Sequence, residues 1–141
     1  MQSYSTRSAS WSHDSEAIMQ VRHEVFVLGQ NVPSEIESDD FDTTSWYVLA
    51  VSRDNQAIGC ARLQPNGKLT RIAVLPSWRR RGIARQMLQD ILDIAAQQDL
   101  NSLYLHAQLS AVDLYTEFGF VKTGQSFEEA GISHIKMTLS Y

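Results

Sequence analysis

Arginine and glycine residues are concentrated in one short segment of this 141-residue chain. The segment RIAVLPSWRRRGIARQML, residues 71–88, contains five arginines and no acidic residue, although the whole chain has a formal net charge of -4. Apolar residues before Pro76 and a helical pattern after Gly82 predict a strand, a turn and a helix. Free N–H groups at the start of such a helix attract an anion, and arginines add charge-assisted hydrogen bonds. The segment therefore predicts a diphosphate site.

The spacing Arg79-x-x-Gly82-x-Ala84 distinguishes this turn from other phosphate-binding loops. The chain contains neither G-x-G-x-x-G nor G-x-x-x-x-G-K-[ST], which excludes the common dinucleotide and nucleoside-triphosphate loops. Gly82 allows the backbone to approach a ligand closely. Two other interpretations are a solvated arginine-rich turn and a nucleic-acid patch. A nucleic-acid groove should add further basic residues and exposed aromatic side chains, and Trp78 is the single aromatic candidate nearby, so we expect no nucleic-acid partner.

The hydrophobic pattern predicts one mixed α/β domain over residues 1–141. The predicted helices span 15–28, 82–98 and 110–118. The predicted strands span 45–52, 57–64, 68–75, 102–108, 120–127 and 133–140. Because a helix separates strand 68–75 from strand 102–108, their connection is a crossover. These two strands are therefore expected to form a parallel pair at the centre of a mostly antiparallel sheet, with helices on both faces.

Several segments resemble one known superfamily. The arginine–glycine turn resembles the acetyl-CoA-binding motif Q/R-x-x-G-x-G/A of the GCN5-related N-acetyltransferase (GNAT) superfamily, and LYTEFGF at 114–120 is similar to its recurrent FYEKLGF segment. Residues 21–42, 105–108 and 127–137 are similar to the small bacterial ElaA/YjcF-like branch. That branch often has the pattern REVFVxEQ, and here Gly29 replaces the acidic residue before Gln30. The resemblance implies a mixed α/β GNAT fold.

The resemblance also implies an activity, in which acetyl passes directly from the thioester of acetyl-CoA to an amine held in the same cleft. It implies that the cofactor binds to the strand and the turn, at Ile72, Ala73, Val74, Arg79, Arg80, Arg81, Gly82, Ile83, Ala84 and Arg85. A backbone N–H near Ala73 or Val74 would stabilise the tetrahedral oxyanion. Tyr115 matches the tyrosine of FYEKLGF and is the candidate general acid for the leaving thiolate. The alternative is that Tyr115 only packs in the core.

The acceptor side is less well defined by the sequence. Candidate general bases are Glu35, Glu37, Asp39, Asp40, His106, Glu128 and His134. Arg22 and Gln30 on the first helix are candidate acceptor contacts, and His106 and Gln108 share one face at the end of strand 102–108. The acidic segment after Gln30 either attracts a cationic amine or is a solvated loop. Phe26 and Phe41 either form an apolar wall or pack in the core.

The remaining features exclude other classes of function. The four histidines have no paired spacing, so we expect no metal. Cys60 is the only cysteine, which rules out an internal disulfide and indicates a reducing compartment such as the cytoplasm. The sequence contains no stretch typical of a signal peptide or a membrane span. A monomer or homodimer is expected, and a non-catalytic acyl-CoA-binding or sensing module is the alternative to an enzyme.

Overall fold

The computed structural model describes residues 3–140, which form one seven-stranded sheet with helices packed on it. The strands are β1 Tyr4–Ala9, β2 Trp46–Ser52, β3 Ala57–Leu63, β4 Lys68–Val74, β5 Ser102–Gln108, β6 Val121–Glu129 and β7 Ile132–Ser140. Their order is β1-β2-β3-β4-β5-β7-β6, and β4–β5 is the parallel pair in an otherwise antiparallel sheet. The predicted mixed sheet with its central parallel pair is therefore confirmed.

The helices lie on opposite faces of this sheet. They are α1 Trp11–Arg22, which continues as a π-helical segment His23–Leu28, then α2 Ser34–Glu37, α3 Ile83–Gln97 and α4 Val112–Glu117. A Cβ built at Gly59 of β3 would lie 3.2 Å from the Met87 methyl group of α3. Arg62, which points to the other face of β3, shares Asp42 with Arg22 of α1. The two long helices thus cover different faces, as expected from the sequence.

The amphipathic helix α3 has the face that its sequence predicts. Ile83, Met87, Leu88, Ile91 and Ala95 are all buried against the sheet. This regular spacing makes α3 the part of the fold that the sequence defines most sharply, since every fourth or third side chain is apolar. The rigid packing of α3 fixes where its first turn lies relative to β4.

The structure corrects the sequence-based reading near the N-terminus. The first helix begins at Trp11 rather than at residue 15, because Trp11 stacks on Tyr47 with ring centroids 5.7 Å apart. Strand β1 was missed altogether. Its sequence YSTRSA contains no buried residue and no apolar face, so the pairing with β2 leaves no hydrophobic period to detect.

Within residues 3–140, no helix is both long and apolar enough to cross a membrane.

Candidate active site

A cleft opens where β4 and β5 separate. The two strands are paired only at Lys68–Tyr104 and Leu69–Leu105, and no pairing follows along the rest of β4. The register between β3 and β4 shifts after Thr70, so that one extra residue of β4 is inserted as a β-bulge. The gap beyond these pairs belongs to a cleft of about 760 Å³. The splayed strand pair that the GNAT resemblance implies is therefore present.

The register of β4 determines which backbone groups reach the gap. Leu75 N–H donates to the Ile58 carbonyl at 2.9 Å, and Ala73 lies opposite Cys60 in the same register. Since backbone groups alternate in direction along a strand, those of Ala73 point to β3. The N–H groups of Ile72 and Val74 consequently point into the gap. Of the two residues that the sequence offers as oxyanion donor, this geometry favours Val74 over Ala73.

The start of α3 forms the second part of the cleft. Gly82 is the N-cap residue with a left-handed φ of 81°, and no side chain caps the first N–H groups of the helix. The nearest heavy atom to a Cβ built at Gly82 is the Tyr4 hydroxyl at 3.9 Å, so the space above the turn is open. Ile83 and Ala84, the first residues of the helix, line the cleft together with Gly82. These N–H groups are available to an anion.

The arginines of the turn have different surroundings. Arg79 donates through Nε to the Val74 carbonyl at 2.9 Å, and Arg81 packs over Trp78 with its guanidinium carbon 4.9 Å from the ring centroid. Arg85 pairs with Glu117 of α4, and this pairing raises the pKa of Arg85. Arg80 is exposed and makes no hydrogen bond or ion pair with any residue of 3–140. Arg79, Arg80 and Arg85 line the cleft.

Tyr115 forms part of the wall next to this turn. Only 8% of the residue is exposed, and its ring makes an edge contact with Phe120 at 6.0 Å between centroids. Burial raises the pKa of Tyr115 to about 12, so the phenol is protonated at neutral pH. Its hydroxyl has no hydrogen-bond partner among residues 3–140, and the residue lines the cleft. The hydroxyl is therefore a donor without an internal acceptor.

The opposite end of the cleft is polar and contains two histidines. His106 lies one residue beyond the last β4–β5 pair, and its Nδ1 is 2.8 Å from Glu129 Oε2. Because an ionised carboxylate only accepts hydrogen bonds, Nδ1 carries the proton and Nε2 of the neutral ring holds the lone pair. His134 Nδ1 is likewise 2.6 Å from the Ile132 carbonyl. Both histidines line the cleft.

Two glutamines complete this polar end. Gln108 stands directly opposite His134 in the β5–β7 register, and its amide donates to Gln30 Oε1 at 3.2 Å. The predicted contacts Gln30, His106, Gln108 and His134 therefore come together in one place. Glu129 belongs to the same group but was missed, since the sequence-based choice was Glu128. Adjacent strand residues face opposite sides, and the pairing of Phe127 with His134 puts Glu129, not Glu128, on the face of the sheet where its carboxylate contacts His106.

The acidic segment does not face the cleft as free charge. Glu37, Asp39 and Asp42 form ion pairs with Arg22, Arg62 and Arg71. Partial burial acts to raise the pKa of Asp39, yet the Arg62 and Arg71 guanidiniums hold that pKa below its usual value. The three arginines balance these three carboxylates, so Glu37, Asp39 and Asp42 add no net charge to the cleft.

Several predicted acceptor residues lie elsewhere. Arg22 is completely buried and bonded to Glu37 and Asp42, so it does not reach the cleft. Glu35, Asp40 and Phe41 are exposed residues outside the cleft lining, whereas Phe26 lines it. Cys60 is buried, and burial raises the pKa of its thiol to about 12. A protonated, buried thiol is consistent with a residue that packs in the core rather than with a nucleophile. No cluster of three or more metal-binding side chains occurs within 3–140.

Comparison with known proteins gives a consistent family assignment. The acetyltransferase (GNAT) domain family matches residues 12–141. The uncharacterized N-acetyltransferase YjcF of Bacillus subtilis is 35% identical over 121 residues, which is 83% of this chain and 86% of YjcF. The protein ElaA of Escherichia coli is 28% identical over 128 residues, 86% of this chain and 84% of ElaA.

Solved structures agree with this assignment. The crystal structure of E. coli ElaA matches with a TM-score of 0.84 and 24% identity, covering 95% of this chain and 98% of ElaA. A GNAT acetyltransferase from Elizabethkingia anophelis, solved with acetyl-CoA bound, matches with a TM-score of 0.71 and 19% identity over 98% of each chain. Because both identities are below 25%, these two structures are evidence for the fold alone. The family match over residues 12–141, together with the 35% identity to YjcF, shows that this chain belongs to the GNAT acetyltransferase family.

Proposed function

We propose that this protein is an acetyl-CoA-dependent N-acetyltransferase that transfers acetyl directly from the thioester to an amine. The observation that carries the proposal is one continuous cleft with two different ends. One end has the uncapped N–H groups of α3 and the arginines of the turn, and the other has His106, Gln108 and His134. The gap between β4 and β5 joins them. Such a cleft suits two substrates that meet in its middle.

The cofactor end fits a diphosphate and a pantetheine chain. The first N–H groups of α3 would hold the diphosphate, with Arg80 and Arg85 adding charge-assisted hydrogen bonds. The N–H groups of Ile72 and Val74 point into the gap, where they would pair with pantetheine amides as a further strand does. Arg81 would act less directly, because its guanidinium already lies over Trp78. The acetyl-CoA found in the E. anophelis relative supports this assignment.

The reaction needs one bond formed and one broken. The amine lone pair attacks the thioester carbonyl carbon, which forms the C–N bond and places negative charge on the oxygen. Val74 N–H is the oxyanion donor in this proposal. Collapse of the intermediate breaks the C–S bond and releases the CoA thiolate, while the proton of the amine passes to a base. Holding both substrates in one cleft supplies a large share of the rate increase.

Tyr115 is proposed to stabilise the leaving thiolate. Its phenol is protonated at neutral pH and has no competing internal acceptor. An alkyl thiol has a pKa of about 8.5, well below that of Tyr115, so equilibrium does not favour full proton transfer to sulfur. Tyr115 therefore acts mainly as a hydrogen-bond donor to the thiolate. This is a charge-assisted bond in a protected position.

His106 is the proposed base for the amine. It lies where the strands begin to separate, and Glu129 fixes the tautomer that leaves Nε2 free. Glu129 is then a positioning residue. His134, Gln30 and Gln108 are assigned to acceptor binding beside it.

The test measures thiol release from acetyl-CoA with a panel of amines, including a small aliphatic amine, an arylalkylamine, a lysine peptide and a free peptide N-terminus. We expect turnover with at least one amine and a loss of about 10²-fold or more in His106→Asn. Gln98→Asn, a substitution at the exposed C-terminal end of α3, is the matched control. Tight CoA binding without turnover on any amine would refute the enzyme and support the non-catalytic module. A monomer or homodimer is proposed as the working form, measurable by light scattering.

A further inference from the structure

Arg71 has an unusual backbone conformation at the edge of the proposed reaction site. Its φ is 55°, in the left-handed region that residues with a side chain avoid. It lies at the bulge of β4, between Thr70, which pairs with Arg62, and Ala73, which pairs with Cys60. Such a conformation persists only where the surroundings hold it in place.

The side chain of Arg71 supplies the restraint. Nε donates to the Glu37 carbonyl at 3.1 Å and to Glu37 Oε2 at 2.9 Å. Nη2 donates to the Glu37 carbonyl at 2.7 Å and to Asp39 Oδ2 at 3.3 Å. One guanidinium is thus fixed to two residues of the acidic segment by four contacts. This anchors β4 at its bulge to the segment that crosses over it.

The carboxylates that hold Arg71 are themselves held by further ion pairs. Glu37 is 2% exposed, and its carboxylate also accepts from Arg22 Nε at 2.8 Å. Asp42 links Arg22 to Arg62, which in turn binds Asp39. Every arginine in this group therefore has two carboxylate partners, and no charge is left unbalanced. Movement of Arg71 would require breaking bonds that cannot be replaced by water in the buried part of the group.

We infer that Arg71 is a positioning residue, which holds the β4 bulge so that the N–H groups of Ile72 and Val74 face the cleft. The bulge changes which backbone groups point toward β3, because one extra residue reverses the alternation beyond it. Without the bulge, the N–H of Ala73 rather than that of Val74 would face the gap. The consequence for acyl transfer rests on the proposed function, whereas the effect on the backbone does not.

The experiment uses Arg71→Ala, Arg71→Lys and Arg71→Gly, with Arg7→Ala as the matched control. Arg7 also forms an ion pair, with Asp14, but lies on the edge strand β1 away from the cleft. Lysine keeps the charge but cannot bridge Glu37 and Asp39 as the guanidinium does. Glycine removes the side chain and tolerates the positive φ. Amide chemical shifts of Ile72 and Val74, kcat and the CoA dissociation constant are measured for each variant.

A positioning role predicts that Arg71→Ala and Arg71→Lys lower kcat by about 10- to 100-fold. The CoA dissociation constant should change less than threefold, because α3 still binds the diphosphate. Arg71→Gly should retain more activity than Arg71→Ala, and Arg7→Ala should match the wild type. An unchanged kcat in Arg71→Ala, or a parallel loss of kcat, CoA affinity and thermal stability, would overturn the inference.

The amide shifts separate this inference from the proposed function. If the wild type shows no transfer to any amine, kcat is not informative and the shifts decide alone. Large shifts of Ile72 and Val74 in Arg71→Lys, absent in Arg7→Ala, would then support the positioning role. Unchanged shifts would reject it. Arg71→Lys also serves if Arg71→Ala does not fold.

Discussion

Replacement of Gly82 by glutamate should abolish CoA binding while the protein stays folded. Gly82 has a left-handed φ of 81°, and a side chain there meets no atom closer than the Tyr4 hydroxyl at 3.9 Å. The cost in stability is therefore conformational rather than steric, about 1–2 kcal/mol. For a domain of this length such a loss lowers Tm by about 3–8 °C. The variant should still fold cooperatively at 25 °C.

The effect on binding is mainly electrostatic. A carboxylate about 6 Å from one phosphate charge, at an effective dielectric constant of about 20, repels it by about 3 kcal/mol. That energy corresponds to a loss of affinity of about 100-fold or more. The side chain also occupies the open space above the first N–H groups of α3. Gly82→Gln separates the two causes, since it has the same backbone strain and nearly the same volume without the charge.

Isothermal titration with CoA and thermal unfolding provide the measurements. We expect Gly82→Gln to show the same decrease in Tm as Gly82→Glu but a clearly smaller loss of affinity. Gly82→Asn, which tolerates the left-handed conformation better, should be the most stable of the three. Wild-type CoA affinity in Gly82→Glu would show that the diphosphate does not bind at the start of α3, and the placement of the cofactor would have to be abandoned.

Four further outcomes are expected. Tyr115→Phe should lower kcat by about 10- to 150-fold without changing CoA affinity, the range for a hydrogen bond to a charged group. Burial raises the pKa of Tyr115 to about 12 in the folded protein, compared with about 10 in the unfolded chain. The folded state therefore favours the protonated phenol, and this contribution to the unfolding free energy is complete below pH 10 and is lost as the pH rises toward 12. The wild type should therefore lose unfolding free energy more steeply than Tyr115→Phe over that interval in urea titrations. Glu117→Gln should strengthen CoA binding a few-fold in titrations at low salt, because it releases Arg85; weaker binding would contradict this. Arg22→Leu should destabilise the protein by about 3–5 kcal/mol in denaturant unfolding, because it removes the fully buried cation that Glu37 and Asp42 share and leaves three carboxylates to two arginines; a near-neutral effect would be inconsistent with the described ion pairs.

The parts of the fold that are easiest to predict from the sequence are those determined by residues close together in the chain. Helix α3 repeats apolar residues at helical spacing, and the crossover that it forms requires β4 and β5 to be parallel. The arginine–glycine turn follows from the same local reading, because Gly82 directly precedes the helix. Strand β1 has no such signal. It is defined only by its pairing with β2, a contact between segments about forty residues apart.

The acceptor side was harder to predict because one residue of register decides which side chains meet. Glu128 and Glu129 are indistinguishable by composition. The two-residue turn at Ala130 and Gly131, both with positive φ, pairs Glu129 with Ile132. Residues two apart share a face, so Glu129 lies on the same side as Phe127, which is paired with His134. Recognition of this hairpin turn would have identified Glu129 from the sequence.

The arginine-rich segment also shows why the number of charged residues is a poor guide to where a ligand binds. Its five arginines suggest a uniform positive patch, yet in the structure they have different contacts. Arg71 belongs to the neutral buried group with Glu37 and Asp39, and Arg85 pairs with Glu117. In the proposed function, the attraction for a diphosphate depends first on the backbone N–H groups at the start of α3, which a count of charged residues does not include. The acidic segment looks in sequence like a site for a cationic ligand, but three of its carboxylates pair with Arg22, Arg62 and Arg71, and Arg71 alone of these belongs to the arginine-rich segment.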